Sequence, residues 1–302
     1  MGLALLIPGG TGQLGRELAA RAPVGAEVHA PGSGDLDMTN AGAVVEAVKT
    51  LAGTASEPPV VINAAAYTAV DAAETDADRA FAVNSDGPRV LAAACSAHGV
   101  PLIQVSTDYV FPGDAESPYQ TDDALGPRSV YGVTKAVGED AVLGSGAQAW
   151  VVRTSWVYGA HGANFVKTMA RLAASRDELS VVDDQRGSPT WTGDLAAGLL
   201  ELATLVAAGK EPPVVLHATG GGDTTWCGLA RAVFEELDLD PARVQPATTA
   251  DHPRPAPRPA YSVLSGEAWR SAGLTPLRPW RDALAAAFAQ DGDAFRASGA
   301  PR

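Results

Sequence analysis

The sequence predicts an α/β fold, in which a doubly wound parallel sheet is joined to a smaller, interleaved C-terminal lobe. Short apolar runs alternate with longer helical stretches, and the runs are apolar at successive residues, which is typical of strands buried on both faces. The alternation becomes less regular after residue 155, and a proline-rich segment, HPRPAPRPAYS at 252–262, interrupts it. We therefore predict a sheet domain over residues 1–155 and a second lobe mainly over residues 156–302.

The predicted elements follow one another in βαβ order. Strands are expected at 3–7, 27–30, 59–66, 100–106, 149–157 and 214–218. Helices are expected at 15–21, 44–52, 77–98, 135–143, 164–175, 194–208 and 280–288. In such a sheet the carboxyl ends of the strands share one edge, and ligands bind in the crevice outside that edge. The proline-rich segment is also compatible with a plain linker, so its role stays open on composition alone.

Charge and composition argue against several classes of partner. The 302 residues carry a formal net charge of −13, and a field of that sign repels the phosphates of nucleic acid. Cys95 and Cys227 lie far apart in apolar helical runs, so we predict two buried thiols rather than a disulfide or a zinc site. The N-terminus lacks the basic segment of a signal peptide, and the apolar run at 3–7 is too short to span a bilayer. The sequence therefore favours a cytoplasmic protein without a membrane partner.

Three glycines follow the first predicted strand, in the sequence GGTGQLG at 9–15. Gly9, Gly12 and Gly15 suit a dinucleotide-binding turn, which needs a tight bend, a close approach of backbone to a pyrophosphate and close packing of helix on strand. The phosphates then lie at the positive end of the following helix. Any tight turn between a strand and a helix favours glycine, but the position after the first strand favours a dinucleotide site.

No acidic residue ends the second predicted strand, where a carboxylate would bind the adenosine ribose. The strand is followed by APGSG, and the nearest acids beyond it are Asp35 and Asp37. The 2′-phosphate of NADPH would meet less repulsion there, and Ser33 could donate a hydrogen bond to it. The sequence therefore slightly favours NADPH and leaves NADH open.

A tyrosine and a lysine four residues apart, Tyr131 and Lys135, follow the Ser-Thr-Asp-Tyr sequence at 106–109. On a helix these two side chains share one face. A nearby ammonium favours the phenolate, so we expect Lys135 to lower the pKa of Tyr131 and ease proton exchange with a substrate oxygen. Thr107 can donate a hydrogen bond to the same oxygen. Taken alone, the pair is also compatible with a solvated helix face; after a dinucleotide turn it predicts hydride transfer at a carbonyl or carbinol carbon.

With these features, the chain resembles the dTDP-4-dehydrorhamnose reductase family of the extended short-chain dehydrogenases/reductases, which have a Rossmann-like fold. The resemblance runs nearly end to end, through segments that include VINAAAYTAVDAAE (61–74), VNSDGP (83–88), VSTDYVFPG (105–113), VYGVTKAVGE (130–139) and VVRTSWVYG (151–159). One difference is Pro8, which stands where the family often has threonine and has no N–H to donate. The resemblance implies NADPH or NADH as the cofactor and a dTDP-4-keto-6-deoxy sugar as the substrate.

The resemblance also implies roles for individual residues. The cofactor would contact the glycine turn, the end of the second strand, the third strand and the Tyr/Lys pair, through Gly9, Gly12, Gln13, Leu14, Gly15, Asp37, Met38, Ala64, Ala65, Ala66, Tyr131 and Lys135. The substrate would contact Thr107, Asp108 and Trp156. Further candidates for the dTDP end are Asn164, Arg258 and the DDQRGSPT turn at 183–190.

Three polar or aromatic residues can be interpreted either as functional or as structural. Trp156 is also compatible with a core position, because most tryptophans are partly buried. Arg258 is also compatible with a solvated charge, although an arginine in a rigid proline-rich segment is well placed to pair with a diphosphate. His217 lies on a short apolar strand and is predicted to be a hydrogen-bonded core histidine rather than a catalyst.

Some members of this family hold a magnesium ion between two subunits through glutamates. Glu17 matches one such position, whereas Gly193 stands where another glutamate is expected. Glu17 is therefore a candidate ligand, but no metal site is predicted, and both a monomer and a homodimer stay open.

Related proteins with the same Tyr/Lys pair provide the alternatives. Nucleotide-sugar dehydratases typically carry Asp-Glu after the threonine, but this chain has Asp108 followed by Tyr109, which favours simple reduction. Other 4-ketoreductases act on dTDP-deoxysugars of antibiotics or make dihydrostreptose. A regulatory subunit of methionine adenosyltransferase belongs to the same broad family and binds a partner protein. The presence of Thr107, Tyr131 and Lys135 favours an enzyme over that last alternative.

Overall fold

The computed structural model describes residues 2–296, and a parallel sheet forms the centre of this part of the chain. The strands of residues 2–296 are β1 (Ala4–Leu6), β2 (Glu27–His29), β3 (Pro59–Asn63), β4 (Leu102–Thr107), β5 (Ala149–Thr154), β6 (Val157–Tyr158), β7 (Leu179–Val182), β8 (Arg186–Gly187), β9 (Thr190–Trp191), β10 (Val215–His217), β11 (Thr224–Thr225) and β12 (Val244–Ala247). Six of them form one sheet in the order β10-β5-β4-β3-β1-β2, with every neighbouring pair parallel. The predicted doubly wound parallel sheet is confirmed.

Helices connect the strands of this sheet and cover it. They are α1 (Gln13–Arg21), α2 (Ala41–Thr54), α3 (Val70–Ala73), α4 (Ala77–Phe81), α5 (Gly87–His98), α6 (Val130–Leu143), α7 (Phe165–Ala173), α8 (Thr192–Ala207), α9 (Trp226–Glu236), α10 (Glu267–Ser271) and α11 (Trp280–Arg296). The chain leaves β1 for β2 on one side and returns to β3 on the other side of β1. This reversal opens a crevice at the carboxyl ends of β1 and β3, where open α/β sheets bind ligands.

Both faces of the sheet are buried at its centre, as the apolar runs predict, whereas the edge strand β2 is exposed. Leu5 and Leu6 are neighbours on β1, so their side chains point to opposite faces. Leu5 belongs to a cluster that includes Leu18 of α1 and Leu199 of α8. Leu6 belongs to another cluster, with residues of α2 and α5 that include Val48. The sheet is therefore a middle layer between two layers of helices.

The C-terminal part of the chain builds a further core and also adds to the sheet. Tyr158, Val166, Trp191 and Phe234 are buried together in a cluster that is separate from the two on the sheet faces. Strand β10 joins the edge of the main sheet, and α8 packs on the face that carries α1. The division of the chain at residue 155 stays a prediction.

Several predicted boundaries differ from the structure, and three of the differences have a local explanation. The helix expected at 77–98 is divided by a turn of π-helix, Ala82–Asp86, where buried Asn84 and Ser85 bond to α6 instead of continuing a regular helix. The helix expected at 135–143 begins earlier, at Val130, because Ser129 caps it by accepting a hydrogen bond from the N–H of Gly132. The strand expected at 149–157 ends at Thr154, and Trp156 turns the chain with a φ of 47°.

The two cysteines are buried, as predicted. Cys95 packs in the cluster under α5, and burial raises the pKa of its thiol to about 12. Cys227 is buried on α9, and burial also raises the pKa of its thiol. Both are free thiols, and neither has reactive thiolate character. Among residues 2–296, every helix is too short or too polar to cross a membrane.

Candidate active site

The glycine turn, residues 9–15, is shaped by backbone contacts that exclude side chains. Gly9 has a φ of 79°, and a Cβ there would lie 2.7 Å from the nitrogen of Ala65 after β3. A Cβ on Gly15 would lie 2.2 Å from the carbonyl oxygen of Gly9. A Cβ on Gly12 would meet only that same oxygen, at 3.2 Å. Gly9 and Gly15 are therefore needed for the turn and its packing, whereas Gly12 borders open space.

Helix α1 begins in this turn without a side-chain cap. Gly12 is its N-cap, and no side chain accepts a hydrogen bond from the first turn of the helix. Unpaired N–H groups at a helix N-terminus attract anions, and phosphates bind at such positions. The side chain of Gln13 faces the C-terminal part of the chain, where its Oε1 accepts a hydrogen bond of 2.9 Å from Asn164. Leu14 is buried beneath the turn.

The other predicted cofactor residues lie around the same crevice. Ala64, Ala65 and Ala66 follow β3 and are partly buried, and the N–H of Ala64 donates to the carbonyl of Pro8. Asp37 accepts hydrogen bonds from the N–H and hydroxyl of Thr39, which lower the pKa of its carboxyl. Met38 is buried. The structure thus brings the end of β3 against the glycine turn, with Asp37 and Met38 beyond β2.

Tyr131, Lys135 and Thr107 meet at the carboxyl end of β4. Tyr131 and Lys135 lie on one face of α6 and are 8% and 4% exposed, while Thr107 ends β4 and is 6% exposed. Burial raises the pKa of the Tyr131 phenol, and the hydroxyl of Thr107 partly opposes this rise. The predicted pair is therefore not a solvated helix face.

The expectation that Lys135 lowers the pKa of Tyr131 is wrong for this arrangement. The ammonium donates a hydrogen bond of 2.7 Å to the carbonyl of Val105, on β4. Burial raises the pKa of Tyr131 to about 12, because a phenolate would lose its hydration. Burial also lowers the pKa of Lys135 to about 8, partly opposed by the carboxylate of Glu139. Desolvation therefore has the largest influence on the pKa of each of the two groups.

Asn84 joins α6 to the segment after β3 by hydrogen bonds, and the sequence did not single it out. Its Nδ2 donates to the hydroxyl of Thr134 and to the carbonyl of Tyr67, each at 3.0 Å, and its Oδ1 accepts from the Tyr67 N–H. The neighbouring Ser85 donates to the carbonyl of Thr134 at 2.7 Å. Thr134 stands between Tyr131 and Lys135 on the helix. The available signal was a pair of polar residues inside the apolar helical run at 77–98.

Asp108 is a buried carboxyl beside the reacting groups. Its Oδ1 accepts a hydrogen bond of 3.0 Å from Thr107, and its Oδ2 has no hydrogen-bond partner among residues 2–296. Burial raises the pKa of this carboxyl to about 6, partly opposed by the hydroxyl of Thr107. Tyr109 follows it, and its ring meets that of Tyr131 edge to face with 5.6 Å between centroids.

Trp156 lies in an aromatic cluster beyond β5. Its indole stacks on that of Trp226, with ring centroids 3.5 Å apart and an angle of 5° between the planes. Phe165 lies against the other side of this pair, with its centroid 4.6 Å from that of Trp226. The sequence predicted Trp156 as a contact residue but gave no role to Trp226.

Asn164 and Arg258 already have partners within the protein. Asn164 caps α7 by accepting from the N–H of Lys167, and its Nδ2 also donates to Gly159 at 2.8 Å. The guanidinium of Arg258 lies 2.9 Å from the carboxylate of Asp71. Arg258 also borders a cavity with Tyr109 and Arg128. Substrate contact stays a prediction for both residues.

The family is shown by the match of the whole chain to known proteins. The model of the RmlD substrate binding domain family matches residues 3–292. The chain belongs to the dTDP-4-dehydrorhamnose reductase family. It is 51% identical over 285 residues to the dTDP-4-dehydrorhamnose reductase of Streptomyces griseus, covering 94% of this chain and 92% of that one. It is 50% identical over 287 residues to a probable dTDP-4,6-dihydroxy-2-methyloxan-3-one 4-ketoreductase of Streptomyces antibioticus, covering 94% of each.

A solved structure gives the same result. The dTDP-4-dehydrorhamnose reductase of Bacillus anthracis, in complex with NADP, superposes with a TM-score of 0.89 and 33% sequence identity. The match covers 96% of this chain and 100% of that one. The predicted family and Rossmann-like fold are therefore confirmed. As a member of the dTDP-4-dehydrorhamnose reductase family, the chain is an oxidoreductase.

The metal site of some dTDP-4-dehydrorhamnose reductases does not fit the residues of this chain. The carboxylate of Glu17 is paired with Arg21, whose Nε lies 2.8 Å from it. A side chain at position 193 would meet the ring of Trp191 at 2.6 Å and the guanidinium of Arg21 at 2.8 Å. Within residues 2–296, no group of three metal-ligating side chains comes together. No step of the reaction is therefore assigned to a metal.

His217 is buried in this reductase, as predicted, but only one of its ring nitrogens faces a polar side chain. Nε2 lies 3.5 Å from Nη1 of Arg153, and Nδ1 has no hydrogen-bond partner in the described part of the chain. Burial, together with the charge of Arg153, lowers the pKa of His217 to about 3. The imidazole is therefore neutral at physiological pH and does not act as an acid.

Proposed function

We propose that this chain reduces the C4 keto group of dTDP-4-dehydro-L-rhamnose and forms dTDP-L-rhamnose, with NADPH or NADH as the hydride donor. The observation that carries the proposal is the convergence of Thr107, Tyr131 and Lys135, all buried, at the carboxyl end of β4. The relative from Streptomyces griseus, at 51% identity, is named for this activity.

The dinucleotide would bind across the glycine turn. A bound nicotinamide supplies a hydride to the C4 carbon of the sugar. Gly12 borders open space at the uncapped start of α1, so the pyrophosphate can approach the backbone there. Ala64, Ala65 and Ala66 leave room along the end of β3, and Lys135 is proposed to contact the nicotinamide ribose. Gly9 and Gly15 maintain the shape of the turn.

NADPH is proposed as the preferred donor. No carboxylate follows β2 directly, and Ser33 is exposed where the 2′-phosphate would lie. Asp37 is already engaged with Thr39 and forms an ion pair with Arg79 at 3.5 Å. The structure of the Bacillus anthracis relative holds NADP. The ratio of kcat/KM for NADPH and NADH tests this preference, and a ratio below one contradicts it.

Tyr131 is proposed to donate the proton in this reaction. A pKa of about 12 keeps the phenol protonated at neutral pH, so it is ready to give one proton to the alkoxide that forms at C4. The Thr107 hydroxyl donates to Asp108 and would rotate to donate to the same oxygen as negative charge develops there. With Tyr109 where a dehydratase has its second acid, the chain is equipped for reduction rather than elimination.

The substrate would extend from this centre toward the C-terminal part of the chain. Trp156 and Asp108 are proposed to contact the sugar. Arg258, which borders the cavity beside Tyr109, is proposed to pair with the diphosphate, and Asn164 to lie toward the dTDP end. Arg258 would then exchange one carboxylate partner, Asp71, for another anion.

A second candidate is the reduction of another dTDP-4-keto-6-deoxy sugar. The relative from Streptomyces antibioticus, a probable 4-ketoreductase of such a sugar, is 50% identical to this chain. A panel of dTDP-4-keto sugars, assayed with NADPH and with NMR of each product, separates the two candidates and gives the C4 configuration. The first proposal predicts the highest kcat/KM for dTDP-4-dehydro-L-rhamnose. A protein that binds the dinucleotide but reduces none of these sugars would instead support a regulatory role.

A further inference from the structure

Trp156 adopts a backbone conformation that a tryptophan rarely takes. Its φ of 47° is in the left-handed region, where the Cβ of any residue other than glycine is crowded by the backbone. The residue lies between β5 and β6, and its carbonyl accepts a hydrogen bond from the N–H of Thr190. Strained residues of this kind persist only where their surroundings hold them, and they concentrate at functional sites. Some contact must therefore hold Trp156.

Side-chain contacts confine the indole of Trp156. Trp226 covers one face of the ring, at 3.5 Å between centroids and nearly parallel to it. Gly187, on β8, also borders the ring, since a Cβ at that position would lie 2.5 Å from Cε2 of Trp156. A larger residue at position 187 would displace the indole. The ring of Trp156 therefore lies against both the ring of Trp226 and the backbone of Gly187.

Trp226 is itself firmly anchored. It is the first residue of α9, next to Thr225, whose hydroxyl caps the helix by accepting from the N–H of Gly228. Its Nε1 donates a hydrogen bond of 3.1 Å to Oε1 of Gln185, and the amide of Gln185 donates in turn to Thr249. The orientation of the Trp226 ring is therefore fixed by a helix start and by a hydrogen bond.

We propose that Trp226 is a positioning residue of the sugar site, which holds the strained Trp156 in place by stacking on its indole. The inference rests on the proposed function, in which Trp156 contacts the sugar. Trp226 acts through Trp156, so its loss affects binding of the sugar nucleotide and leaves the dinucleotide site intact. Specificity for the sugar depends in this way on a residue from a different part of the chain.

Two substitutions at position 226 provide the functional test. Trp226→Leu removes the aromatic face, and we expect the KM for the dTDP-4-keto sugar to rise about tenfold, with the Kd of NADPH unchanged. Trp226→Phe keeps an aromatic face without the indole N–H, and its KM is expected to rise less than that of the leucine variant. A wild-type KM in Trp226→Leu, or an equal loss in the two variants, would overturn the positioning role.

A spectroscopic measurement tests the stacking without turnover. Two stacked indoles whose transition moments are rotated relative to each other couple their electronic transitions and give a paired positive and negative band in the far-ultraviolet circular dichroism spectrum. The couplet is expected in the wild type and in Trp280→Phe, a matched control whose ring has no aromatic partner among residues 2–296. It is expected to disappear in both Trp156→Phe and Trp226→Phe. A couplet of wild-type amplitude in either of these variants contradicts the stacking.

Binding of dTDP-L-rhamnose by calorimetry separates this inference from the proposed function. Wild-type protein that binds this compound but reduces no keto sugar contradicts the proposed reaction alone. Trp226→Leu with wild-type affinity for dTDP-L-rhamnose contradicts the positioning role, whatever the reaction is.

Discussion

The guanidinium of Arg258 lies 2.9 Å from the carboxylate of Asp71, which joins the proline-rich segment to the short helix α3. The same carboxylate accepts a hydrogen bond from the N–H of Ala256 and lies 3.9 Å from Arg254. Arg258 is mostly buried, with 19% of its side chain exposed, whereas Arg254 is 63% exposed. The segment at 252–262 is therefore joined to α3, and only one of its two arginines is mostly buried.

This difference gives a matched pair of variants. We expect Arg258→Ala to raise the KM for the dTDP-4-keto sugar by at least about tenfold, because a charge-assisted hydrogen bond to the diphosphate contributes about 1.5–3 kcal/mol. Arg254→Ala removes a charge from the same segment and should change KM little. The Kd of NADPH, measured by fluorescence titration, should stay the same in both. Equal effects of the two substitutions on KM would assign the role to net charge rather than to Arg258.

Removal of the Tyr131 hydroxyl should stop the reaction. Tyr131→Phe is expected to lower kcat by about 10²–10⁴-fold, the usual contribution of general acid catalysis, while the Kd of NADPH stays close to that of the wild type. Tyr158→Phe is the control, because the Tyr158 hydroxyl is buried and has no partner among residues 2–296. Turnover of Tyr131→Phe near the wild-type rate would remove the tyrosine from the mechanism.

The burial of Lys135 predicts a pH-dependent effect on stability. Its pKa is lowered from 10.5 to about 8 in the folded protein, so between these values the unfolded chain binds more protons and the free energy of unfolding rises with pH. Below pH 8 the charged ammonium destabilises the fold by up to about 3 kcal/mol. Lys135→Met should therefore unfold at higher urea concentration than the wild type at pH 7, and the gap should shrink toward pH 10.

Lys49→Met provides the control for that experiment. Lys49 is on α2, 60% exposed, and pairs with Glu46 at 3.0 Å. Its substitution should change the free energy of unfolding little at any pH, because exposed ion pairs contribute little. A difference between Lys135→Met and the wild type that does not vary with pH would contradict the lowered pKa.

Two glycines of the turn should respond differently to alanine. Gly15→Ala places a Cβ 2.2 Å from the Gly9 carbonyl, so it should lower both the melting temperature and the affinity for NADPH. Gly12→Ala meets only the same oxygen, at 3.2 Å, so the fold should be kept. Its methyl group points into the space proposed for the pyrophosphate and should raise the Kd of NADPH at least about tenfold. Unchanged affinity in Gly12→Ala would place the pyrophosphate elsewhere.

Removal of divalent cations should have no effect on the rate. Glu17 is paired with Arg21, and Gly193 has no room for a second carboxylate. We expect the kcat/KM of protein treated with EDTA to equal that of protein supplied with MgCl₂. A loss of activity with EDTA that Mg²⁺ restores would contradict the assignment of Glu17 to an ion pair. Glu17→Gln should behave like the wild type in this assay.

Features set by local sequence were predictable. The apolar runs gave the strands of the sheet, because strands buried on both faces need apolar residues at successive positions. The glycine turn and the Tyr131/Lys135 spacing also predicted residues of the crevice. The geometry of a turn or a helix depends on neighbours in sequence, so such residues can be read from their spacing. The turn is formed as expected around Gly9, and Tyr131 and Lys135 share one face of α6.

Features set by distant contacts were not predictable. At the interruption of the helix at 82–86, Asn84 and Ser85 donate hydrogen bonds to Thr134, which the sequence does not pair with them. The contact of Trp156 with Trp226 likewise joins two remote parts of the chain. The pKa of Tyr131 was expected to fall from its spacing to Lys135, but burial decides its direction, and burial is a property of the whole fold.

The transfer of deuterium from NADPH to the sugar is the most direct test of the proposed reduction at C4. Purified protein is incubated with dTDP-4-dehydro-L-rhamnose and NADPH that is deuterated at both hydride positions of the nicotinamide, and the product is examined by NMR. We expect dTDP-L-rhamnose with one deuterium at C4 and one NADPH oxidised for each molecule formed. A product without deuterium at C4, or bound dinucleotide that is never oxidised, would contradict it.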